Sequence, residues 1–285
     1  MNILITGANG QLGNALREAS NGSRHRYIFT DVAELDITSD AAVDEIFRQE
    51  KIDVVVNCAA YTAVDKAEEE ADVADMINHL AVANLAESCA KHNATLIHIS
   101  TDYIFDGKAT SPYTEDSAPA PLNIYGATKL AGERSIIESG CSHIIIRTSW
   151  LYSQFGHNFY KTMRRLSATE SSLRVVCDQV GTPTYAGDLA EVIVHIIESN
   201  QLSKCGTYNF SNEGVCSWYD FAVEIARLSG NTNCVITPCR SEEYPTKALR
   251  PRYSVLSKEK ITQTFSIEIA EWQESLKKCI ERLKE

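Results

Sequence analysis

Residues 2–13 read NILITGANGQLG and combine a short apolar run, a turn with three glycines and the start of a helix. Gly7, Gly10 and Gly13 have the spacing GxxGxxG, which suits a tight strand-to-helix turn and lets the backbone approach a pyrophosphate. The helix N-terminus adds free N–H groups and the positive end of the helix dipole. A glycine pattern alone is a weak signal, but strand, turn and helix in succession predict a dinucleotide site.

The rest of the first half alternates between strand and helix patterns. Further apolar runs that we interpret as strands buried on both faces are YIFTD (27–31), DVVVNCAA (53–60), TLIHIS (95–100) and HIIIRTSW (143–150). Helical patterns lie between the runs, at residues 11–20, 39–50, 71–93 and 125–138. Strand–helix–strand alternation predicts parallel pairing with right-handed crossovers. The expected fold class is therefore α/β, with a Rossmann-type doubly wound parallel sheet.

In the second half, strand and helix patterns alternate less regularly. Residues 173–178 and 206–212 read as strands, residues 186–199 form an apolar helical pattern, and Ser217 with Asp220 makes a capping box. We expect residues 1–150 to form a dinucleotide-binding domain that parts of 173–205 complete. Residues 151–285 are expected to form mainly a smaller C-terminal substrate-binding lobe, interleaved with the first domain.

Composition excludes several classes of protein. The formal net charge is −11 over 285 residues, which argues against a nucleic-acid partner. No apolar run approaches the roughly 20 residues of a membrane span, and the N-terminus lacks signal-peptide features. Nine cysteines without a CxxC pair, and seven histidines without HxxxH or HExxH spacing, favour free thiols and no metal site. We therefore expect a cytoplasmic protein.

Asp31 follows the second apolar run, 18 residues after Gly13. An acidic side chain there can accept hydrogen bonds from the adenosine ribose hydroxyls and would repel a 2′-phosphate. This position favours NADH, although a strand-end turn is the alternative explanation for the aspartate. Arg24 and Arg26 lie close in sequence and leave NADPH open as the cofactor.

Thr101, Tyr125 and Lys129 are the candidate catalytic residues. Thr101 ends the fourth apolar run, and ligands bind outside the carboxyl ends of parallel strands. Tyr125 and Lys129 lie four residues apart near a helix start, so a phenol and an ammonium share one helix face. A nearby lysine and the positive nicotinamide ring are expected to lower the phenol pKa. The alternative is that Tyr125 and Lys129 only form a polar helix surface. The glycine turn together with Thr101 favours a role in ketone reduction.

The sequence resembles the extended short-chain dehydrogenase/reductase superfamily, and within it the reductases of dTDP-linked deoxysugars. The motifs that carry the resemblance are TGANGQLG (6–13), NCAAYTAVDKAE (57–68), ANLAESC (83–89), STDYIFDG (100–107), YGATKLAGE (125–133), IRTSWLYS (146–153), HNFYKTM (157–163), DQVGTPTYAGDLA (178–190) and RPRYSVLSKEK (250–260). Several of them are superfamily-wide, whereas DYIFDG, RTSWLYS and DQVGTPT together are specific to the deoxysugar reductases.

The resemblance implies a role for each matching residue. It implies that Thr101, Tyr125 and Lys129 are catalytic. The residues implied around the cofactor, NADPH or NADH, are Gly7, Gly10, Gln11, Leu12, Gly13, Asp31, Asp36, Ala59, Ala60, Tyr61, Tyr125 and Lys129. The residues implied on the sugar-nucleotide side are Thr101, Asp102, Tyr103, Trp150, Gln179 and Arg250.

The implied reaction is hydride transfer to the C4 ketone of dTDP-4-dehydro-L-rhamnose, giving dTDP-L-rhamnose. Related dehydratases carry Asp-Glu after the threonine; here the pair is Asp102-Tyr103, so dehydration is not expected. Some relatives are metal-bridged dimers with an acidic residue just after the glycine turn. In this chain Asn14-Ala15 occupies that position, and Glu18 reads as a surface residue, so no metal is expected. Whether the protein is a homodimer is left open by the sequence.

Three alternatives remain open. The first is a regulatory subunit that binds a partner enzyme, like the methionine adenosyltransferase β subunit. The second is a reductase of another nucleotide-linked 4-keto sugar, and the third is an epimerase.

Overall fold

The central sheet contains six strands, all paired in parallel, in a computed structural model that describes residues 1–283. The strands of the described chain are β1 (Asn2–Thr6), β2 (Arg26–Phe29), β3 (Val54–Asn57), β4 (Thr95–Thr101), β5 (Ser142–Thr148), β6 (Leu151–Tyr152), β7 (Ser172–Val176), β8 (Val180–Gly181), β9 (Thr184–Tyr185), β10 (Gly206–Phe210), β11 (Cys216–Ser217) and β12 (Val235–Cys239). The order in the central sheet is β10-β5-β4-β3-β1-β2. The predicted doubly wound parallel sheet is confirmed.

Helices cover both faces of this sheet, except for three that pack outside it. They are α1 (Gln11–Ala19), α2 (Asp40–Glu50), α3 (Val64–Ala67), α4 (Ala71–Asp75), α5 (Ala81–His92), α6 (Ile124–Ser139), α7 (Phe159–Thr169), α8 (Ala186–Glu198), α9 (Trp218–Leu228), α10 (Glu259–Phe265) and α11 (Trp272–Arg282). The three that pack outside the sheet are α7, α9 and α11. Short 3-10 helices lie at Asp102–Ile104 and Ser241–Glu243.

Strand side chains alternate between two apolar layers, because successive residues of a strand point to opposite faces. Ile3 and Ile5 of β1 pack with α1 and α8 on one face, whereas Leu4 packs with α2 and α5 on the other. Val55 of β3 likewise joins the second layer. Both layers are buried, which explains why the central strands read as continuous apolar runs instead of alternating ones. At the sheet edge, β2 is only partly buried.

The segment predicted as one helix over residues 71–93 contains a wide π-helical turn at Met76–Leu80, between α4 and α5. Asn78 lies in this turn and is fully buried. Its side chain accepts the Tyr61 N–H at 2.9 Å and donates to the Tyr61 carbonyl at 3.1 Å and to the Thr128 hydroxyl at 3.2 Å. These three bonds tie the turn to the loop after β3 and to α6. Such a turn has no local sequence signal.

The second half contributes to both parts of the molecule. Helix α8 packs against α1, and β10 is the edge strand beside β5. Strand β7 instead pairs with β12 outside the central sheet, near α7, α9 and α11. The capping box is present, since Ser217 N–H donates to Asp220 at 2.9 Å and Asp220 N–H donates back at 3.1 Å. The division into two lobes at residue 150 stays a prediction. The last two residues of the predicted C-terminal lobe lie outside the described chain.

Candidate active site

The glycine turn after β1 bends tightly against the neighbouring strand. Gly7 has a φ of +61°, and a Cβ there would lie 2.7 Å from the Ala59 Cα. A Cβ at Gly13 would lie 2.5 Å from the Ala8 Cα, so this glycine lets α1 pack against the turn. Gly10 is the N-cap of α1 and has extended backbone. The first N–H groups of α1 have no intrahelical partner and fit a pyrophosphate group.

A cavity of about 830 Å³ opens beside this turn. Its walls include the predicted cofactor residues Gly7, Gly10, Asp31, Asp36, Ala59 and Ala60. The Asp31 carboxylate accepts the N–H groups of Asn9 and Val32, each at 2.9 Å. Hydrogen bonds from Thr38 lower the pKa of Asp36. Within residues 1–283 no lysine or arginine lines the cavity, so its walls carry negative and neutral groups.

A second cavity, of about 520 Å³, continues from the first and shares Gly10, Cys58 and Ala60 with it. The predicted residues that line it are Gly10, Gln11, Leu12, Ala60, Thr101, Asp102, Tyr103, Tyr125, Lys129 and Trp150. The three candidate catalytic side chains therefore face a common space that adjoins the glycine turn.

Thr101 and Tyr125 approach this space from different elements. Thr101 ends β4, and its hydroxyl donates to Asp102 Oδ1 at 3.0 Å while accepting the Tyr103 N–H at 3.2 Å. Tyr125 lies in the first turn of α6, which Asn123 caps by accepting the Gly126 N–H at 2.8 Å. Burial raises the pKa of Tyr125 to about 12, with the Thr101 hydroxyl opposing and the Asp102 charge adding to the rise. In the protein chain alone, burial thus outweighs the lowering expected from the sequence.

Lys129 is almost completely buried, with 1% of its surface exposed. Its Nζ donates to the Ile99 carbonyl at 2.6 Å and lies 3.1 Å from His98 Nε2. Burial lowers the pKa of Lys129 to about 8, and the Glu133 carboxylate opposes this shift. The amine can therefore gain or lose a proton near neutral pH.

Comparison with known proteins agrees with this geometry. A family model described as the RmlD substrate binding domain matches residues 1–285. The chain is 41% identical to the dTDP-4-dehydrorhamnose reductase of Aggregatibacter actinomycetemcomitans, an alignment that covers 96% of this chain and 97% of that protein. It is 39% identical to the Bacillus subtilis spore coat polysaccharide biosynthesis protein SpsK, covering 98% and 96%.

Solved structures agree as well. A dTDP-4-dehydrorhamnose reductase from Clostridium acetobutylicum superposes with a TM-score of 0.96 at 47% identity and full coverage of both chains. The chain belongs to the dTDP-4-dehydrorhamnose reductase family. Another member, from Bacillus anthracis, was solved in complex with NADP and superposes with a TM-score of 0.93 at 39% identity, covering 99% of both chains.

In this family member, the indole of Trp150 lies at the wall of the second cavity. It stacks on Trp218 of α9 with 3.6 Å between ring centroids and 12° between planes. Trp150 has a φ of +49°, a conformation that residues other than glycine rarely adopt. Gly181 makes room for the ring, since a Cβ there would lie 2.7 Å from Trp150 Cε2. The glycine of the DQVGTPT motif is thereby explained.

Asp102 and Tyr103 follow Thr101 directly. Asp102 is 2% exposed, and its Oδ2 has no hydrogen-bond partner within the described chain. Burial raises the pKa of Asp102 to about 7, opposed by hydrogen bonds from Ser254 and Thr101. The Tyr103 ring meets the Tyr125 ring edge-on, with centroids 5.6 Å apart.

Four predicted site residues do not line either cavity: Gly13, Tyr61, Gln179 and Arg250. Gln179 donates to the Ser241 hydroxyl at 3.0 Å, and the Tyr61 phenol donates to Glu70. Arg250 forms a bidentate pair with Asp65, at 2.9 and 3.1 Å. The guanidinium that the resemblance implied on the sugar-nucleotide side therefore pairs with a carboxylate of the same chain, and its role in the site stays a prediction.

Several residues that line the second cavity escaped the sequence analysis. Trp218, Phe159, His157 and Asn158 come from the second half. Asn158 donates to the Gln11 side chain at 2.8 Å, which joins the start of α7 to the glycine turn. The HNFYKTM motif and the capping box lie in these segments. Nothing in the sequence indicated that they contact Gln11.

Glu18, considered above as a metal ligand, accepts a hydrogen bond from Gln154 at 3.2 Å and pairs with Arg282 at 3.3 Å. In the described part of the chain no cluster of three metal-ligating side chains is present. None of the described helices is both long enough and apolar enough to span a bilayer. All nine cysteines are free thiols.

Proposed function

We propose that this protein reduces the C4 ketone of dTDP-4-dehydro-L-rhamnose to dTDP-L-rhamnose at the expense of NADH or NADPH. One observation carries the proposal: Thr101, Tyr125 and Lys129 line one cavity that continues from the glycine turn. Family membership names the substrate class, since the relatives at about 40% identity are dTDP-4-dehydrorhamnose reductases. The glycine cradle, which a Cβ at Gly7 would fill, fits a dinucleotide pyrophosphate.

The reduced nicotinamide supplies the hydride when it is bound. The carbonyl carbon gains that hydride, and the carbonyl oxygen gains a proton from the Tyr125 phenol. The Thr101 hydroxyl holds the same oxygen and stabilises the charge that develops on it. Lys129 assists as a hydrogen-bond donor to the nicotinamide ribose and as a source of charge behind the phenol.

We further propose that NADH is the better cofactor. Asp31 and Asp36 line the first cavity, and within the described residues no cationic side chain lines it. Arg24 pairs with Glu198 at 3.5 Å, and Arg26 pairs with Glu50 at 2.5 Å. Both arginines are thus engaged elsewhere, so a 2′-phosphate would meet carboxylates instead of a cation. The Bacillus anthracis relative binds NADP. We therefore expect this protein to use both cofactors, with a preference for NADH.

A coupled assay tests the proposal. dTDP-4-dehydrorhamnose is generated from dTDP-glucose with the dehydratase and 3,5-epimerase, and cofactor oxidation is followed at 340 nm with NADH or NADPH. Stoichiometric oxidation with formation of dTDP-rhamnose supports the reductase. Cofactor binding without turnover would instead point to a regulatory subunit, and sugar interconversion without net oxidation to an epimerase.

The nine free thiols support the prediction of a reducing, cytoplasmic location. A homodimer stays a prediction that light scattering would test.

A further inference from the structure

Four buried polar side chains form a continuous chain from the central sheet to α6, behind the candidate active site. They are Thr6, Asn57, His98 and Lys129, which are 1%, 1%, 0% and 1% exposed. The Thr6 hydroxyl donates to Asn57 Oδ1 at 2.6 Å. Asn57 Nδ2 lies 3.1 Å from His98 Nδ1, and His98 Nε2 lies 3.1 Å from Lys129 Nζ.

The orientation of the Asn57 amide is determined by the backbone. The Ala59 N–H, which can only donate, points at Asn57 Oδ1 at 3.1 Å. A flipped amide would place two donors against each other, so Oδ1 must face Ala59 and the Nδ2 group must face His98. Asn57 therefore donates a hydrogen bond to His98 Nδ1.

The hydrogen bond from Asn57 permits only one protonation state of the His98 imidazole. Nδ1 must keep its lone pair to accept from Asn57, which excludes both the imidazolium and the neutral tautomer protonated at Nδ1. The ring proton then lies on Nε2, which faces Lys129 Nζ. An ammonium has three donors and no lone pair, so it cannot accept this bond, whereas a neutral amine can. The amine also donates to the Ile99 carbonyl at 2.6 Å.

We propose that His98 is a positioning residue that donates its Nε2–H to Lys129 and so holds the Lys129 side chain as an uncharged amine before cofactor binds. The inference rests on the proposed function for its consequence in catalysis, but not for the protonation states themselves. When bound, the anionic cofactor would favour the ammonium, because its negative charge attracts a cation and its ribose hydroxyls can accept hydrogen bonds from Lys129 Nζ. Cofactor binding is therefore coupled to the uptake of one proton from solution.

The charged groups around His98 and Lys129 agree with the proposed protonation states. Burial, the largest cause, holds the pKa of His98 well below its usual range, so the imidazole is neutral. Glu133, one turn after Lys129 on α6, favours the ammonium, but its carboxylate is shared with Arg147 at 2.7 Å. Burial raises the pKa of the Cys58 thiol, so this neighbour is neutral. Tyr125 and Asp102 line the second cavity, whereas His98 does not.

The first test uses the wild-type protein without cofactor. Nitrogen-15 NMR of histidine-labelled protein distinguishes a protonated from an unprotonated ring nitrogen. His98 is the buried one of the seven histidines, and its signals are those that are absent from the spectrum of His98→Phe. We expect a protonated Nε2 and an unprotonated Nδ1. A protonated Nδ1 would overturn the proposal, whether or not the protein proves to be a reductase.

The second test measures proton uptake on NADH binding. Isothermal titration calorimetry at about pH 8.5, in two buffers with different ionisation enthalpies, gives the number of protons taken up. We expect uptake approaching one proton for the wild type and for the remote control His195→Phe, and clearly less for His98→Phe, because without the Nε2–H the lysine keeps its proton to higher pH. Equal uptake in His98→Phe and wild type would refute the proposal.

Discussion

The Glu133 carboxylate and the Arg147 guanidinium form a buried ion pair, with 2.7 Å between Oε2 and Nη2 and side-chain exposures of 2% and 8%. Glu133 lies one turn after Lys129 on α6, and Arg147 lies on β5. The Ser100 hydroxyl, next to Thr101 on β4, also donates to Glu133. Glu133 therefore joins the helix that carries Tyr125 and Lys129 to β5 through Arg147, and to β4, the strand that carries Thr101, through Ser100.

Glu133→Gln is expected to destabilise the protein by about 3–5 kcal/mol, because it leaves the Arg147 charge buried without a counter-charge. Urea unfolding measures the loss. The control is Glu45→Gln, which breaks an exposed i,i+3 pair with Arg48 and should have little effect. Similar unfolding midpoints for the two variants would show that the buried pair does not hold the helix in place.

Tyr125→Phe is expected to lower kcat by about 10²–10⁴-fold, since the variant lacks the phenolic proton. The ring and its edge-on contact with Tyr103 remain, so NADH affinity should change little. Steady-state kinetics and fluorescence titration of NADH measure the two effects. Turnover within a few-fold of wild type would mean that another group donates the proton.

Gly126→Ala is expected to abolish most activity and to lower the melting temperature. A Cβ at residue 126 would lie 2.1 Å from the Tyr103 carbonyl oxygen, so either α6 or the loop after β4 must move. Either movement displaces Tyr125 from Thr101. The exposed neighbour provides the control, Ala127→Ser, which should retain wild-type kcat and stability. If Gly126→Ala were as active as this control, the close packing of α6 against the loop would be contradicted.

Asp31→Asn is expected to shift cofactor preference towards NADPH. The substitution removes the charge that repels a 2′-phosphate while keeping the size of the side chain. The measurement is the ratio of kcat/KM for NADPH to that for NADH, with Asp40→Asn on α2 as the control. An unchanged ratio would remove Asp31 from cofactor selection.

The stability of the protein should fall as pH rises from about 4 to about 7, through Asp102. Burial raises the pKa of Asp102 from 3.8 to about 7, so between these values the folded state binds more protons than the unfolded state. Its contribution to the free energy of unfolding is complete below the unfolded pKa and is lost as pH rises through the folded one. Asp102→Asn should flatten this part of the urea-unfolding profile. A variant profile that parallels the wild type would show that the carboxyl is already ionised when buried.

The sequence by itself determined the fold class, and most of the site residues that it predicted line the two cavities. The apolar runs with helices between them specify the parallel sheet, because neighbours such as Ile3 and Leu4 must both be buried, in opposite layers. The glycine spacing predicted the turn because its cause is local: without Cβ atoms, Gly7 and Gly13 permit close backbone approach.

Tertiary structure alone decided which partners each polar group meets. Arg250, which the resemblance implied on the sugar-nucleotide side, pairs with Asp65, and His98 on β4 lies against Lys129. Trp218 is 68 positions from Trp150 in sequence, yet the two indoles stack. Burial likewise determines the pKa of Tyr125, Lys129 and Asp102. These properties depend on long-range packing and desolvation, which no local pattern of residue types encodes.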